Sequence, residues 1–168
     1  SLPKNPTAHY EASSRTGNFY YSGTVIYSYG RHYPIADILP EKKGHPKTVL
    51  FEAIPYPSQQ THGHRSLVKS AIPSDWQVIE VVMGKEYWSP SGPDIPRNLE
   101  FYFNKITELA KLQARARTRD YSPEINKWGK EAKKFIAYFK PKKALYKKYL
   151  EAYNASETFT ASVASSLV

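Results

Sequence analysis

The alternation of apolar and polar positions in the first half of the chain predicts a β-sheet. Residues 19–29 are rich in Tyr, Val, Ile and Thr, which favour strands, and their side chains would alternate between two faces. Residues 32–39, 48–54 and 77–83 have the same character. The sequence therefore predicts an antiparallel sheet of about four strands.

A tight turn is predicted between the first two strands, at Gly30 and Arg31. Glycine readily adopts the positive φ that a type II′ hairpin turn requires at its first central position. Tyr29, Arg31 and His32 would then gather stacking, cationic and hydrogen-bonding groups in one patch. Pro34 lacks an N–H group, so its strand is expected to lie at a sheet edge or to carry a bulge.

Apolar residues recur at spacings of three and four in the second half, which predicts helices. The first is expected from Pro96 to about Arg119, and Ser122-Pro123-Glu124 is typical of a second helix start, with Ser122 as the cap. Pro141 would open a third segment. A short helix from about His62 to Ala71, capped by Thr61, is expected before the fourth strand.

These elements predict an α+β fold, with an antiparallel sheet of about four strands and one short helix, followed by two or three C-terminal amphipathic helices. We expect one domain over residues 17–153, with a sheet part at 17–83 and a helical part at 95–153. Residues 1–16 are expected to form a flexible arm, and residues 154–168 a flexible or docking tail.

The composition of the 168 residues excludes several classes of site. There is no cysteine, which excludes a disulfide scaffold, a thiolate zinc site and a cysteine nucleophile. No apolar run approaches the ~20 residues that span a bilayer, and the polar start does not resemble a signal peptide. We therefore expect a cytoplasmic protein, in the host cell if it is phage-encoded, with no membrane partner.

The positive charge of the chain is concentrated in its second half. The formal net charge is +9; residues 91–168 carry 15 Lys and Arg against 8 Asp and Glu, whereas residues 1–90 carry 9 against 7. An anionic partner, either nucleic acid or an acidic protein surface, would match this distribution. Basic charge also serves solubility.

The basic residues follow helical spacings. Lys111, Arg115 and Arg119 would form one ridge on the first long helix, and residues 127–148 hold 9 Lys with Glu131 as the one acid. Such a surface would neutralise phosphates and release counterions, and its alternative role is the solvated outer face of a helical bundle. Interleaved tyrosines (Tyr138, Tyr146 and Tyr149) would stack on bases. The predicted nucleic-acid contacts are Lys111, Arg115, Arg119, Lys127, Lys130, Lys134, Lys143, Lys147, Tyr29, Arg31 and His32.

Catalytic signals are weak by comparison. His62 and His64 are two residues apart, which suits a metal in an extended segment but not on a helix, where catalytic zinc uses i and i+4. No nucleophile elbow, Walker loop or dinucleotide fingerprint is present, so we expect no cofactor. A metal site, if formed, would combine His32, His62 and His64 with Asp37 or Glu52.

Two segments resemble signatures of uncharacterised proteins from bacteriophages and mobile elements. The first is Val25-Ile26-Tyr27-Ser28-Tyr29-Gly30 followed by Pro34-Ile35-Ala36, and the second is Tyr56-Pro57-Ser58-Gln59-Gln60-Thr61-His62. In that family the second segment has a threonine pair, which Gln60-Thr61 replaces here, and lacks Pro57. The resemblance spans about residues 18–83 and implies a phage origin without an established activity.

The sequence as a whole favours a non-catalytic phage-type accessory protein that binds nucleic acid without strong sequence preference. The alternative is a protein–protein interaction module, such as a phage inhibitor or particle component, that uses the Tyr-rich turn and the 154–168 tail. A further alternative is a metal-dependent hydrolase that uses the histidines.

Overall fold

A computed structural model describes residues 11–13, 19–28, 33–54, 59–84, 87 and 92–148. The chain divides into two compact units, a sheet unit at Ser1–Asp94 and a helical unit at Ile95–Val168. A sheet with one helix precedes two long helices, which confirms the α+β class. None of the helices in these residues is long and apolar enough to cross a bilayer.

The sheet unit contains six strands whose order in space is their order along the chain. Neighbours from β1 to β5 pair antiparallel, whereas β5 and β6 pair parallel. The fully antiparallel prediction was therefore wrong at β6, because helix α1 (Gln59–Ala71) forms the crossover that a parallel pair requires. The strands are β1 (Glu11–Ser13), β2 (Phe19–Ser22), β3 (Val25–Ser28), β4 (Pro34–Ile38), β5 (Thr48–Glu52) and β6 (Gln77–Val81).

The sheet has two more strands than were predicted. The predicted strand at 19–29 is a hairpin, in which Ser22 pairs with Val25 across a two-residue turn. Gly23 is the first central residue of that turn and has φ 59°, which is the positive value that type II′ geometry requires. The other additional strand, β1, lies within the predicted N-terminal arm. The rest of that arm, residues 1–10 and 14–16, falls outside the described residues.

The predicted irregularity at Pro34 is confirmed as a β-bulge. Tyr27 pairs with Pro34 but Ile26 pairs with Ala36, so Ile35 is the extra residue in β4. The strand is not at an edge, since it pairs with both β3 and β5. The predicted turn at Gly30-Arg31 lies outside the described residues.

One face of the sheet packs on α1. The helix begins at Gln59, so Thr61 lies inside it and the predicted cap was wrong; glutamine has a good helix propensity and extends the helix upstream. Val68 of α1 is 3% exposed and joins a core formed by the buried strand residues Ile26, Ile35, Ala36, Ile38, Val49 and Phe51.

The helical unit consists of α2 (Ile95–Arg115), α3 (Ser122–Phe139) and a short 3-10 turn (Lys143–Leu145). The turn lies within the third predicted segment, of which residues 149–153 are outside the described part, as is the 154–168 tail. The two helices pack through aromatic rings: Tyr102 of α2 is fully buried, and its ring centroid lies 5.5 Å from that of Phe135 on α3.

The junction between α2 and α3 corrects two predictions. Helix α2 ends at Arg115, not Arg119, and the Gln113 side chain accepts a hydrogen bond from the Tyr121 N–H at 2.6 Å. Pro123 lacks an N–H and is tolerated in the first turn of a helix, where α3 places it. The N-cap is Tyr121, which makes no side-chain capping bond, and Ser122 is the first helical residue; the Asp120 carboxylate accepts its N–H at 2.9 Å.

Candidate nucleic-acid interface

The outer side of α3 gathers four lysines. Ile125, Ala132 and Phe135 are buried along one side of this helix. At about 100° per residue, Lys127, Lys130, Lys133 and Lys134 project from the opposite side. The first three are exposed and Lys134 is half-buried. We refer to these four residues as the α3 lysine face.

Three members of the α3 lysine face were predicted contacts, and the structure brings them together. Lys133 was missed, although its position, three residues after Lys130, carries the same helical signal. Lys134 Nζ lies 2.6 Å from a carboxylate oxygen of Glu131. The four lysines outnumber the two acids that lie among them, Glu131 and Asp120, so the face carries a positive formal charge.

An open depression of about 850 Å³ runs along the first turns of α3 between these side chains. Asp120 lies at its rim, where hydrogen bonds from Ser122 lower the pKa of the carboxyl group. The lining offers four ammonium groups together with the carboxylates of Asp120 and Glu131. Beside the lysine face, the lining residues are Asp120, Ser122, Pro123, Asn126 and Glu131.

The predicted ridge of Lys111, Arg115 and Arg119 is not formed. Lys111 and Arg115 are exposed on α2, but Glu108 precedes Lys111 by one turn on the same side. Arg119 lies beyond the helix end, where its guanidinium is 3.4 Å from Glu124 and stacks over the Tyr121 ring. The outer side of α2 is therefore mixed in charge.

The other predicted contacts are not members of the α3 lysine face. Lys143 and Lys147 are exposed but lie on and after the 3-10 turn, so no helical spacing relates them to α3. Tyr138 is 6% exposed and therefore cannot stack on a base. Tyr146 is half-buried. Tyr29, Arg31, His32 and Tyr149 lie outside the described residues.

An aromatic pair at the edge of the helices was not predicted as a site. Phe101 of α2 and Trp128 of α3 are half-buried, with ring centroids 5.4 Å apart and planes at 90°. Lys105 Nζ lies 6.0 Å from the Phe101 centroid, and Lys127 Nζ lies 4.7 Å from that of Trp128. We call these four residues the Phe101–Trp128 patch. Trp128 was assigned only to the apolar stripe of α3, and the contact with Phe101 depends on tertiary packing.

Asp37, a suggested metal ligand, has a structural role in the sheet unit. It is fully buried in β4 and accepts hydrogen bonds from Thr24 Oγ1 at 2.6 Å and Tyr87 Oη at 2.5 Å. Burial and the adjacent carboxylate raise the pKa of Tyr87. Tyr87 therefore stays protonated and continues to donate to Asp37.

Glu52, the other suggested carboxylate ligand, has a structural role at the end of β5. Its side-chain oxygens accept the N–H groups of Ile54, Met83 and Gly84 at 3.1, 2.9 and 3.3 Å. Burial raises the pKa of Glu52 despite these bonds and the positive charge of Arg65, which itself donates to the Glu52 backbone carbonyl at 2.7 Å.

The described histidine of the suggested cluster is also engaged in packing. His64 Nδ1 is hydrogen bonded to Ser28 Oγ at 2.7 Å, and its ring stacks on Phe19. Ser28 is fully buried, so this Ser–His pair offers no accessible nucleophile. Within the described residues no three His, Cys, Asp or Glu side chains are grouped to hold a metal. His32 and the side chain of His62 lie outside them.

Comparisons with protein-family models, curated proteins and solved structures find no match to this chain.

Proposed function

We propose that this chain is a non-catalytic phage-type accessory protein that binds nucleic acid through the α3 lysine face. The observation that carries the proposal is the segregation of α3, which is buried along one side and presents four lysines on the other. Displacement of condensed counterions by these lysines would supply the binding free energy.

The dimensions of the face suit a phosphate backbone. The eight residues from Lys127 to Lys134 extend about 10 Å along a helix that rises about 1.5 Å per residue. One strand of a nucleic acid places a phosphate about every 3.4 Å along its axis. The face therefore spans about three phosphates, and each ammonium group can adjust to one of them.

The same side chains favour binding without sequence preference. Lysine acts as a mobile point charge, whereas the planar guanidinium of arginine is the better bidentate reader of a base edge. The α3 lysine face contains no arginine, and the neighbouring Arg119 is paired with Glu124.

The test is a fluorescence-anisotropy titration of labelled oligonucleotides, single- and double-stranded, at several salt concentrations over a roughly tenfold range, from about 20 to about 200 mM. We expect Lys130→Glu with Lys133→Glu to weaken binding about a hundredfold at low salt and to lower the salt slope by about 2, since each phosphate contact contributes about 0.9. Both lysines are exposed, so the variant should remain folded.

The matched control is Lys42→Glu with Lys43→Glu, which makes the same change of net charge on an exposed loop of the sheet unit. We expect its affinity to stay within about threefold of the unaltered chain, because it leaves the phosphate contacts in place. Equal losses in both variants, or no binding by the unaltered chain at low salt, would refute the proposal.

A further inference from the structure

We infer that the Phe101–Trp128 patch is a base-stacking site and that the ligand is single-stranded nucleic acid. This inference rests on the proposed function and adds the class of nucleic acid to it. Proteins that bind single strands combine a cationic track for the backbone with aromatic rings on which bases stack. The α3 lysine face supplies the track, and the Phe101–Trp128 patch supplies the rings.

The rings of Phe101 and Trp128 form a fixed stacking surface because both pack against the same buried side chain. Tyr102 is fully buried, and its ring centroid lies 5.9 Å from that of Phe101 and 6.4 Å from that of Trp128. Each of the two outer rings is nevertheless half-buried and keeps part of its surface in solvent. Little ordering is needed before a base can stack on such a platform.

The cations over the rings mark the faces that a base would occupy. Lys105 lies over Phe101 and Lys127 lies over Trp128, and cation–π contacts at exposed sites are weak. A bound strand would draw each ammonium group to a phosphate and place a base on the ring. Lys127 belongs to both the patch and the α3 lysine face, so a strand held along the face passes beside Trp128.

The aromatic contact distinguishes single strands from duplexes. In a duplex the faces of the bases are stacked on one another, whereas unpaired bases can be splayed onto protein rings. A face of lysines alone would bind either form by its phosphates. The additional rings are of use only to a strand whose bases are unpaired.

The test compares three labelled 12-nucleotide ligands at one salt concentration: oligothymidylate, a duplex, and an abasic strand of equal charge. We expect oligothymidylate to bind about tenfold more tightly than the abasic strand, as stacking of one or two bases would provide. Phe101→Leu with Trp128→Leu should remove this difference and leave duplex binding unchanged. Trp76→Leu is the matched control, because Trp76 also has a lysine, Lys47, over its ring at 5.7 Å.

A second measurement does not depend on the folding of the leucine variant. In a chain with Trp76→Phe and Trp88→Phe, we expect the fluorescence of Trp128 to be quenched by oligothymidylate but not by the abasic strand. Equal affinity for oligothymidylate and the abasic strand, with unchanged fluorescence, would overturn the inference while the proposed function stands. Binding of none of the three ligands would overturn both.

Discussion

The two units place their charged groups in opposite ways. In the sheet unit, Asp37 and Glu52 are almost fully buried, and two or three hydrogen bonds satisfy each carboxyl group. In the helical unit, Lys127, Lys130 and Lys133 of α3 are exposed, and Lys134 is ion-paired with Glu131. The carboxyl groups that suggested chemistry in the sheet unit hold its strands together, whereas most lysines of α3 lie at the surface.

This contrast has a direct experimental consequence. Changes at the buried carboxyl groups should lower the free energy of unfolding, while changes on the α3 lysine face should lower affinity with little effect on stability. The effects expected from testing that division decrease from Asp37→Ala to Arg119→Ala.

The largest effect is expected from Asp37→Ala. It leaves the hydroxyl groups of Thr24 and Tyr87 buried without their acceptor, which we expect to cost about 3 kcal/mol of the free energy of unfolding. Urea denaturation measures it, with the exposed Asp75→Ala as control. A cost below about 1 kcal/mol would mean that the network does not support the sheet unit.

Tyr87→Phe should have a smaller effect because Asp37 keeps the bond from Thr24. We expect a loss of about 2 kcal/mol in the free energy of unfolding, the usual worth of a hydrogen bond to a charged group. The same denaturation experiment tests it. A variant as unstable as Asp37→Ala would instead show that Tyr87 carries the whole network.

Glu52 should make the free energy of unfolding of the sheet unit depend on pH. Because its pKa is raised on folding, the folded state holds the proton more tightly than the unfolded state. Stability from this group therefore falls as pH rises above the ordinary value of about 4.3, by at most about 1.4 kcal/mol per pH unit.

Glu52→Gln should flatten this part of the pH profile, as measured by the free energy of unfolding at several pH values. The exposed Glu41→Gln is the control and should leave the profile unchanged. If the free energy of unfolding of Glu52→Gln changes with pH as steeply as that of the unaltered chain, the Glu52 carboxyl group does not take up a proton on folding.

Arg119→Ala should have the smallest effect. Its ion pair with Glu124 joins side chains that are 66% and 41% exposed, and exposed pairs contribute about 0.5 kcal/mol or less. Thermal unfolding should therefore change little. Affinity for oligonucleotides should also change little, because Arg119 is not part of the α3 lysine face; a large loss would extend the interface to the α2–α3 junction.

The fold class and most element positions could be predicted because hydrophobic periodicity reports local burial. The predictions from the sequence failed at one turn and at one strand pairing. The turn at Gly23 was not predicted, because it lies inside a run of strand-favouring residues and shows only in the pairing of Ser22 with Val25. The parallel pairing of β6 with β5 follows from the strand–helix–strand order, whose elements were predicted but were interpreted as part of an antiparallel sheet.

The candidate site was also predictable only where helical spacing determines which residues lie on one side. Helical spacing alone aligned Lys127, Lys130 and Lys134. It failed for Arg119, because the helix ends four residues earlier, at Arg115. The pairing of Phe101 with Trp128 could not be foreseen, since it joins residues on two helices whose packing the sequence does not specify.

The sequential strand order has a consequence for how the sheet unit assembles. Each strand hydrogen bonds to the one that precedes it, so every β-pairing can form as soon as its second partner leaves the ribosome. The β4–β5 step closes a loop of nine residues (39–47) and the β5–β6 step the longest one, 24 residues (53–76) that include α1, and the entropy of loop closure grows slowly with length. The sheet unit can thus be built from its amino-terminal end without waiting for α2 and α3.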